Sequence, residues 1–311
     1  MGTGNELVDV LVVGGGAAGL GAALTLARAR RSVVVVDAGQ PRNAPAEGVH
    51  GLLGLEGTNP LELLARGRDE VRGYGGTILE GEVVRADTDP LGFMVELADG
   101  RQLRARQLLV ATGLSDQLPD LPGVRERWGH DVLHCPYCHG WEVRDRRIGV
   151  IATGPMSVHQ TLLFRQWSDN LRLFSRGVEI SDEDRNRFRA RGVEVVEGEV
   201  EGLEVAEDSL QAVRMADGRR FEVDAAVVAS RMVANLGPFA ALGLKTVEHA
   251  MGSFIEADEL GCTSVAGVWV AGNATDLSAQ VGAAAAQGTR VAAQINFHLV
   301  NEETELAVAA L

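Results

Sequence analysis

The stretch DVLVVGGGAAGLGAALTLARARRSVVVVDAG, residues 9–39, constrains the fold more than any other part of the chain. It opens with an apolar, β-branched run of strand length. A glycine-rich turn follows, then a segment of helical composition that ends in basic residues, which suit the negative end of a helix dipole. A second apolar strand closes the unit. Gly14, Gly16 and Gly19 stand at the G-x-G-x-x-G spacing directly after the first strand, and Asp37 ends the second. A bare G-x-G-x-x-G is a weak signal; in a strand–turn–helix–strand context it describes a dinucleotide site. The glycines let the backbone approach a pyrophosphate, the helix N-terminus supplies N–H donors, and the acid suits a ribose hydroxyl. The expectation is an α/β fold built around a βαβ unit.

The same layout recurs. RRIGVIATG (146–154) reads as a strand entering a turn, PMSVHQTLLFRQWSD (155–169) as a helix, and NLRLFSRG (170–177) as the next strand. Each half then carries a small β meander marked by an ADG turn, at 98–100 and 216–218, and an apolar strand that ends in ATG or ASR. Such a repeat at the level of layout predicts two related Rossmann-like domains. The 311 residues are enough for two domains of ordinary size. GVWVAGNATDLSAQVGAAAAQGTRVAAQINFHL, from residue 267, adds a strand and a long Ala-rich helix with no counterpart in the second unit, so it is expected to return to the first domain.

A net charge of −14 argues against a nucleic-acid partner, because phosphate contacts need a basic face. MGTGNELVDVLVVGGG has no basic region followed by an apolar one, and no apolar run reaches membrane-spanning length; the expectation is a cytoplasmic protein without membrane contact. In that compartment a close cysteine pair is catalytic or metal-binding rather than structural. Cys135 and Cys138 form such a pair in HCPYCHGWE, flanked by His134 and His139. Taken alone, C-x-x-C-H reads as a haem-attachment string, part of a zinc site or a redox dithiol. Cys262 stands alone and is expected to serve packing.

Two further strings, LLVATGLSDQLPDLPG (108–123) and GVWVAGNATD (267–276), complete the resemblance: the chain resembles the thioredoxin reductase branch of the FAD-dependent disulfide oxidoreductases. The resemblance covers nearly the whole length. It implies a discontinuous FAD-binding domain from 1–116 and 245–311, with 117–244 inserted as a second dinucleotide-type domain that carries C-x-x-C. It implies that Gly14, Gly16 and Ala17 face the pyrophosphate and that Asp37 binds the adenosine ribose. Gln40, Asn43 and Val83 are then placed along the cofactor, with Ala111, Thr112 and Gly113 in the ATG turn. Gly272 and Asn273 are placed at the ribityl chain, and Gln280 and Val281 at the flavin ring. Asn273 stands where the family usually has Asp.

Inside that FAD framework a redox dithiol is the favoured reading. Haem attachment calls for export, and zinc calls for about four ligands, more than this segment offers; no metal is expected. By resemblance Cys135 is the exchanging sulfur and Cys138 the flavin-proximal one. NADPH-linked reductases of the branch carry Asp after the second cysteine; this chain has His139, which titrates near neutrality and suits proton transfer. CPYCHGWE resembles the FAD-dependent dithiol oxidases that close the disulfides of gliotoxin- and holomycin-type natural products. The NADPH signature is degraded as well. Ala152 and Thr153 replace its first glycine positions, Ser157 takes the small-residue position, and Ser175-Arg176-Gly177 replaces an H-R-R phosphate clamp. The expected activity is oxidation of a small-molecule dithiol by O₂ through FAD, in a homodimer. A disulfide reductase fed by NADPH or another donor is the alternative. His134 could share the proton role or be structural, and His50 is expected to be a surface-loop residue.

Overall fold

The computed structural model describes residues 7–311; residues 1–6, where the leader reading and the first domain boundary fall in part, lie outside it. Its contacts divide the chain into two compact units. The first holds the residues up to Ala44, Thr58–Ser115 and Met232–Leu311; the second holds Pro45–Gly57 and Asp116–Arg231.

The first unit starts with β1 (Leu7–Val13), α1 (Ala17–Arg28) and β2 (Val33–Asp37), the βαβ expected from the sequence. α2 (Pro60–Gly73) follows, its first turn capped by Asn59, whose Oδ1 accepts from the Leu61 and Glu62 amides. Next come β3 (Thr77–Glu80), β4 (Val83–Asp89), β5 (Gly92–Leu97) and β6 (Gln102–Val110), with the ADG turn between β5 and β6. β7 (Leu114–Gln117) then carries the chain out of this unit.

The second unit contains α3 (Val124–Arg127), β8 (Val132–Leu133), α4 (Pro136–His139), β9 (Ile148–Ile151), α5 (Met156–Phe164), β10 (Leu171–Phe174), α6 (Asp182–Ala190) and β11 (Glu194–Val196). An antiparallel sheet of β12 (Val200–Ala206), β13 (Ser209–Met215) and β14 (Arg220–Glu222) precedes β15 (Ala225–Val228). The parallel sheet runs β11-β10-β9-β15-β8. β16 (Arg231–Ala234) leads back to the first unit, followed by β17 (Thr246–His249), β18 (Gly252–Ile255), β19 (Val268–Val270) and α7 (Val281–Ala309).

The first unit's main sheet runs β3-β2-β1-β6-β5-β4, with β19 also on β6. β6 serves two partners: Ala105 pairs antiparallel with Phe93 of β5, and Leu108 pairs parallel with Val268 of β19. α1 and α7 cover one face of β1, and β4, β5 and the 237–242 segment cover the other, so Val10–Val13 are buried on both faces and read as a continuous apolar run rather than an alternating one. Val10 and Val12 pack with Leu26, Val291 and Ile295, while Leu11 and Val13 pack with Phe93 and Phe239. The orders β3-β2-β1-β6 and β11-β10-β9-β15 are the same, so the repeat seen in the sequence is a repeat of topology.

The boundary differs from the sequence expectation. The chain rejoins the first unit at Met232, not at 245, because Ala234, Phe239 and Leu242 belong to the core that contains Leu11 and Val110. Pro45–Gly57 clusters with the second unit although its neighbours in sequence do not. No helix among the described residues is long and apolar enough to cross a membrane.

Candidate active site

The parallel strands of the first unit end side by side. Val13 pairs with both Val36 and Val110, and Val110 pairs with Val270. The turns that follow these strands therefore meet at one edge, as expected for ligand sites in α/β sheets. Gly14 has φ +109°, and a Cβ there would lie 2.3 Å from the Ala111 oxygen. A Cβ on Gly19 would lie 1.9 Å from the Gly14 oxygen, so the helix can approach its strand only with glycine at this position. Gly16, the N-cap of α1, faces open space, has no side-chain cap, and begins a first turn without acidic residues. The first-turn amides, including that of Ala17, have no intrahelical acceptor and are available to an anion.

Asp37 ends β2 with its carboxylate against Gly15; Oδ1 accepts from the Gly39 amide at 3.0 Å and Oδ2 from Arg68 at 3.1 Å. Gln40 is exposed, Asn43 half-buried, and Val83 buried at the start of β4. Ala111 is buried, and Gly113 has φ +65°. Asn235, which sequence reasoning missed, braces this turn. Its Nδ2 donates to the Thr112 oxygen at 3.0 Å, its carbonyl accepts from Thr112 Oγ1 at 3.1 Å, and its Oδ1 accepts from Ser115 Oγ at 2.6 Å.

Gly272 has φ +73° and donates its amide to Gln287 Oε1 at 2.8 Å. Asn273 departs from the simple expectation: its Nδ2 donates to the carbonyls of Asp276 and Ala279, both at 2.9 Å. An aspartate could make neither bond, so the amide shapes the approach to α7 and leaves Oδ1 for a ligand hydroxyl. Gln280 is the N-cap of α7, without a side-chain cap bond, and Val281 is its half-buried first residue. The glycine turn, the uncapped helix start and Asp37 fit a dinucleotide such as FAD.

The C-x-x-C-H segment lies wholly in the second unit. β8 pairs parallel with β15, Leu133 opposite Val227, and delivers the chain to His134 and Cys135. Pro136 starts the short α4, where its missing N–H costs nothing. Cys138 Sγ donates to Cys135 Sγ at 2.7 Å, so the two sulfurs are placed as a dithiol that can close on itself. Both cysteines are half-buried, and burial does not rank their accessibility. Gly140 is needed here, since a Cβ would lie 2.4 Å from the Pro136 oxygen and 2.8 Å from the Trp167 ring. Gln160 of α5, another residue missed in the sequence, donates its amide to the His134 carbonyl at 2.9 Å and so fixes the residue before Cys135.

Both ring nitrogens of His139 are buried without a hydrogen-bond partner. Burial holds its pKa below the ordinary histidine range; Glu142 opposes this and His50 adds to it. The imidazole is therefore neutral at pH 7 and can accept a proton. His50 is no bystander on a surface loop: its Nδ1 lies 2.6 Å from Glu56 Oε1 and its Nε2 3.5 Å from Glu142 Oε1. No cluster among the described residues could hold a metal ion.

The second βαβ turn is closed by its own side chains. Ala152 is buried, and the Thr153 amide donates to Ser157 Oγ at 3.0 Å rather than into the turn. Thr153 Oγ1 donates to the Ala229 carbonyl at 3.2 Å. After β10, Ser175 Oγ donates to Glu197 Oε2 at 3.0 Å, and a Cβ on Gly177 would lie 3.2 Å from Glu199 Oε1. Hydrogen bonds from Arg185 and Ser175 hold Glu197 below the usual carboxylate range, so it is anionic. Glu197, paired with Arg185 at 2.6 Å, and Glu199 thus stand beside Ser175 and Gly177, the stretch where the resemblance places a phosphate clamp.

The model for "Pyridine nucleotide-disulphide oxidoreductase" matches residues 8–288. The crystal structure of HlmI superimposes with a TM-score of 0.91 at 47% identity, covering 97% of this chain and 96% of that one. "Thioredoxin reductase sirT" of Leptosphaeria maculans is 29% identical over 97% of this chain and 98% of its own length. "Thioredoxin reductase tcpT" of Claviceps purpurea is 38% identical over 56% of this chain, and the match spans 57% of tcpT's own length. The family match over 8–288, together with the two βαβ units, decides the family. The chain belongs to the pyridine nucleotide-disulphide oxidoreductases and is a thioredoxin reductase-like, FAD-binding flavoprotein.

Proposed function

We propose that the protein is a flavin-dependent dithiol oxidase that closes a disulfide in a small-molecule dithiol. The observation that carries this reading is the closed second turn: Ser157 takes the Thr153 amide and Glu197 takes the Ser175 hydroxyl, while the Cys135–Cys138 pair is intact. A chain with a working dithiol and a poor NADPH site is suited to receive electrons from thiols rather than to deliver them. The cofactor-facing roles of Gly14, Gly16, Ala17, Asp37, Ala111–Gly113, Gly272, Asn273, Gln280 and Val281 are part of this proposal.

The substrate's first thiolate attacks Sγ of Cys135 in the Cys135–Cys138 disulfide, forming a mixed disulfide and releasing Cys138 as a thiolate. His139 takes the proton of the attacking thiol, because only the thiolate is nucleophilic. The second substrate thiol attacks its partner sulfur, expels Cys135 and leaves as an intramolecular disulfide. The enzyme then holds two electrons and two protons as a dithiol. Bound FAD would supply the two-electron acceptor that lets the pair return to the disulfide, with O₂ as the terminal oxidant and H₂O₂ as the product. His134, whose carbonyl is held by Gln160, shapes the approach to Cys135. A homodimer working in the cytoplasm completes the reading.

The similarity to the thioredoxin reductases tcpT and sirT favours a second reading, a disulfide reductase driven by NADPH. Oxygen consumption with a panel of small dithiols, set against NADPH oxidation by the same sample, separates the two. Dithiol-dependent oxygen uptake with stoichiometric peroxide supports the oxidase; NADPH oxidation coupled to disulfide reduction supports the reductase.

A further inference from the structure

The helix that follows the closed turn reaches the dithiol segment at both of its ends. Gln160 is buried on α5 and donates its amide to the His134 carbonyl at 2.9 Å, directly before Cys135. Its Oε1 is buried without a hydrogen-bond partner among the described residues, an arrangement that folding alone does not favour. Three residues past the end of α5 stands Trp167. Its amide donates to the Phe164 carbonyl at 2.9 Å, and its carbonyl accepts from the Asp145 amide at 2.9 Å. Its ring lies 6.3 Å from that of the fully buried Phe164, centroid to centroid. The same ring stands edge-on to Tyr137, which lies between the two cysteines, at 5.8 Å and 88°. It also lies so near Gly140 that a Cβ there would come within 2.8 Å of it. α5 and Trp167 thus fasten the segment at residues 134, 137 and 140, with Cys135 and Cys138 between the fastenings.

We propose that Gln160 and Trp167 are positioning residues that set the redox poise of the Cys135–Cys138 pair: they hold the reduced segment in the conformation that the disulfide needs, and so bias the pair toward its oxidised form. The inference rests on the reading of Cys135 and Cys138 as the exchanging pair, and not on the base or on the direction of electron flow. Closing a disulfide removes backbone freedom from the loop between the sulfurs. In the disulfide the covalent bond restrains this loop by itself; in the dithiol only the brace does. The brace therefore withholds more freedom from the dithiol than from the disulfide, and its loss favours the dithiol. A pair that rests oxidised is the form that a substrate thiolate attacks. The helix beside the closed turn thus has a task that needs no nucleotide.

The test equilibrates the flavin-loaded full chain under argon with mixtures of dithiothreitol and its cyclic disulfide. Dithiothreitol gives up two electrons and two protons and closes to its ring, while the Cys135–Cys138 disulfide opens to two thiols. Acid quenching, alkylation and mass spectrometry of the peptide that holds both cysteines count those thiols apart from Cys262. Trp167→Ala is expected to make the pair about 10-fold easier to reduce, a rise of about 30 mV in its potential. Gln160→Leu is expected to shift the equilibrium by about 3-fold in the same direction. It opens no large cavity, and it decides the question where Trp167→Ala does not fold. Trp167→Phe, which keeps a ring, is expected to recover part of the loss. Phe188→Leu, on α6 in the core that also holds Phe164, is expected to lower Tm and leave the equilibrium unmoved. Wild-type equilibria in the Gln160 and Trp167 variants overturn the proposal, as does a shift toward the disulfide. An equal shift in Phe188→Leu overturns it as well, because the poise would then follow general stability. If the wild-type pair shows no two-electron exchange with dithiothreitol, the assignment of the pair in the preceding section fails, and the proposal with it.

Discussion

Two turns in this molecule follow equivalent strands and enter equivalent helices, and they are built in opposite ways. After β1, Gly14 is left-handed against Ala111, Gly16 faces open space, and the amides of the first turn of α1 are uncapped. After β9, Ser157 reaches back to the Thr153 amide, and Ala152 is buried where the backbone of a working site comes close to a phosphate. The first turn leaves its donors for a ligand, whereas the second spends one of them on its own side chain. On the proposed reading, a repeated βαβ keeps its packing role without a binding role, because the strand order depends on the apolar runs and not on the turn. The Cys135–Cys138 pair, to which the proposed function gives the thiol chemistry, sits in the unit with the closed turn.

The harshest way to probe that division is to remove the dithiol. Cys138→Ser is expected to lower dithiol turnover by about 10³-fold or more while flavin content stays at the wild-type level, read from the visible absorbance of the purified protein. Next, Gly14→Ala strikes the open turn: a Cβ 2.3 Å from a carbonyl oxygen in a left-handed conformation is expected to cost about 2–4 kcal/mol and to leave the protein without flavin. His139→Gln is expected to slow the thiol step by about 10²-fold. In the wild type the acid limb of the pH–rate profile is expected below the ordinary histidine value of about 6.5, because burial depresses the His139 pKa and the imidazole loses its basicity only when pH falls through that lowered value.

Ser157→Ala opens the comparison from the other side. Freeing the Thr153 amide is expected to cost about 1 kcal/mol in thermal unfolding and to leave turnover unchanged. The smallest expected effect is that of restoring the glycines. Ala152→Gly with Ser157→Gly should bring no measurable NADPH oxidation, because Glu197 and Glu199 still face the clamp position; a large gain would show that the turn alone closed the site.

Much of this was legible in the sequence because it depends on local pattern. The apolar runs, the ADG turns and the G-x-G-x-x-G spacing need no tertiary knowledge to be read. The C-x-x-C pair and His139 were also visible, as types at fixed spacing. What escaped depends on contacts between distant residues. The return at Met232 is set by Phe239 and Leu242 packing into a core formed more than a hundred residues earlier, and no composition shift marks it. Asn235 and Gln160 act through one amide each on a backbone carbonyl far away in sequence, which leaves no periodic trace. His50 read as a loop residue because its partner Glu142 lies ninety-two positions on. Asn273 is the local exception: it read as a tolerable replacement for Asp, whereas its amide makes two bonds, to carbonyls three and six residues on, that the acid could not.

The central claim is that electrons enter from a dithiol and not from NADPH. It is tested most directly by following the flavin absorbance of the purified protein under argon. Bleaching on addition of a small dithiol, with the colour and an equivalent of peroxide returning on admission of air, and no bleaching with NADPH, is the result expected from the closed second turn. Rapid bleaching by NADPH with none by dithiol would contradict it.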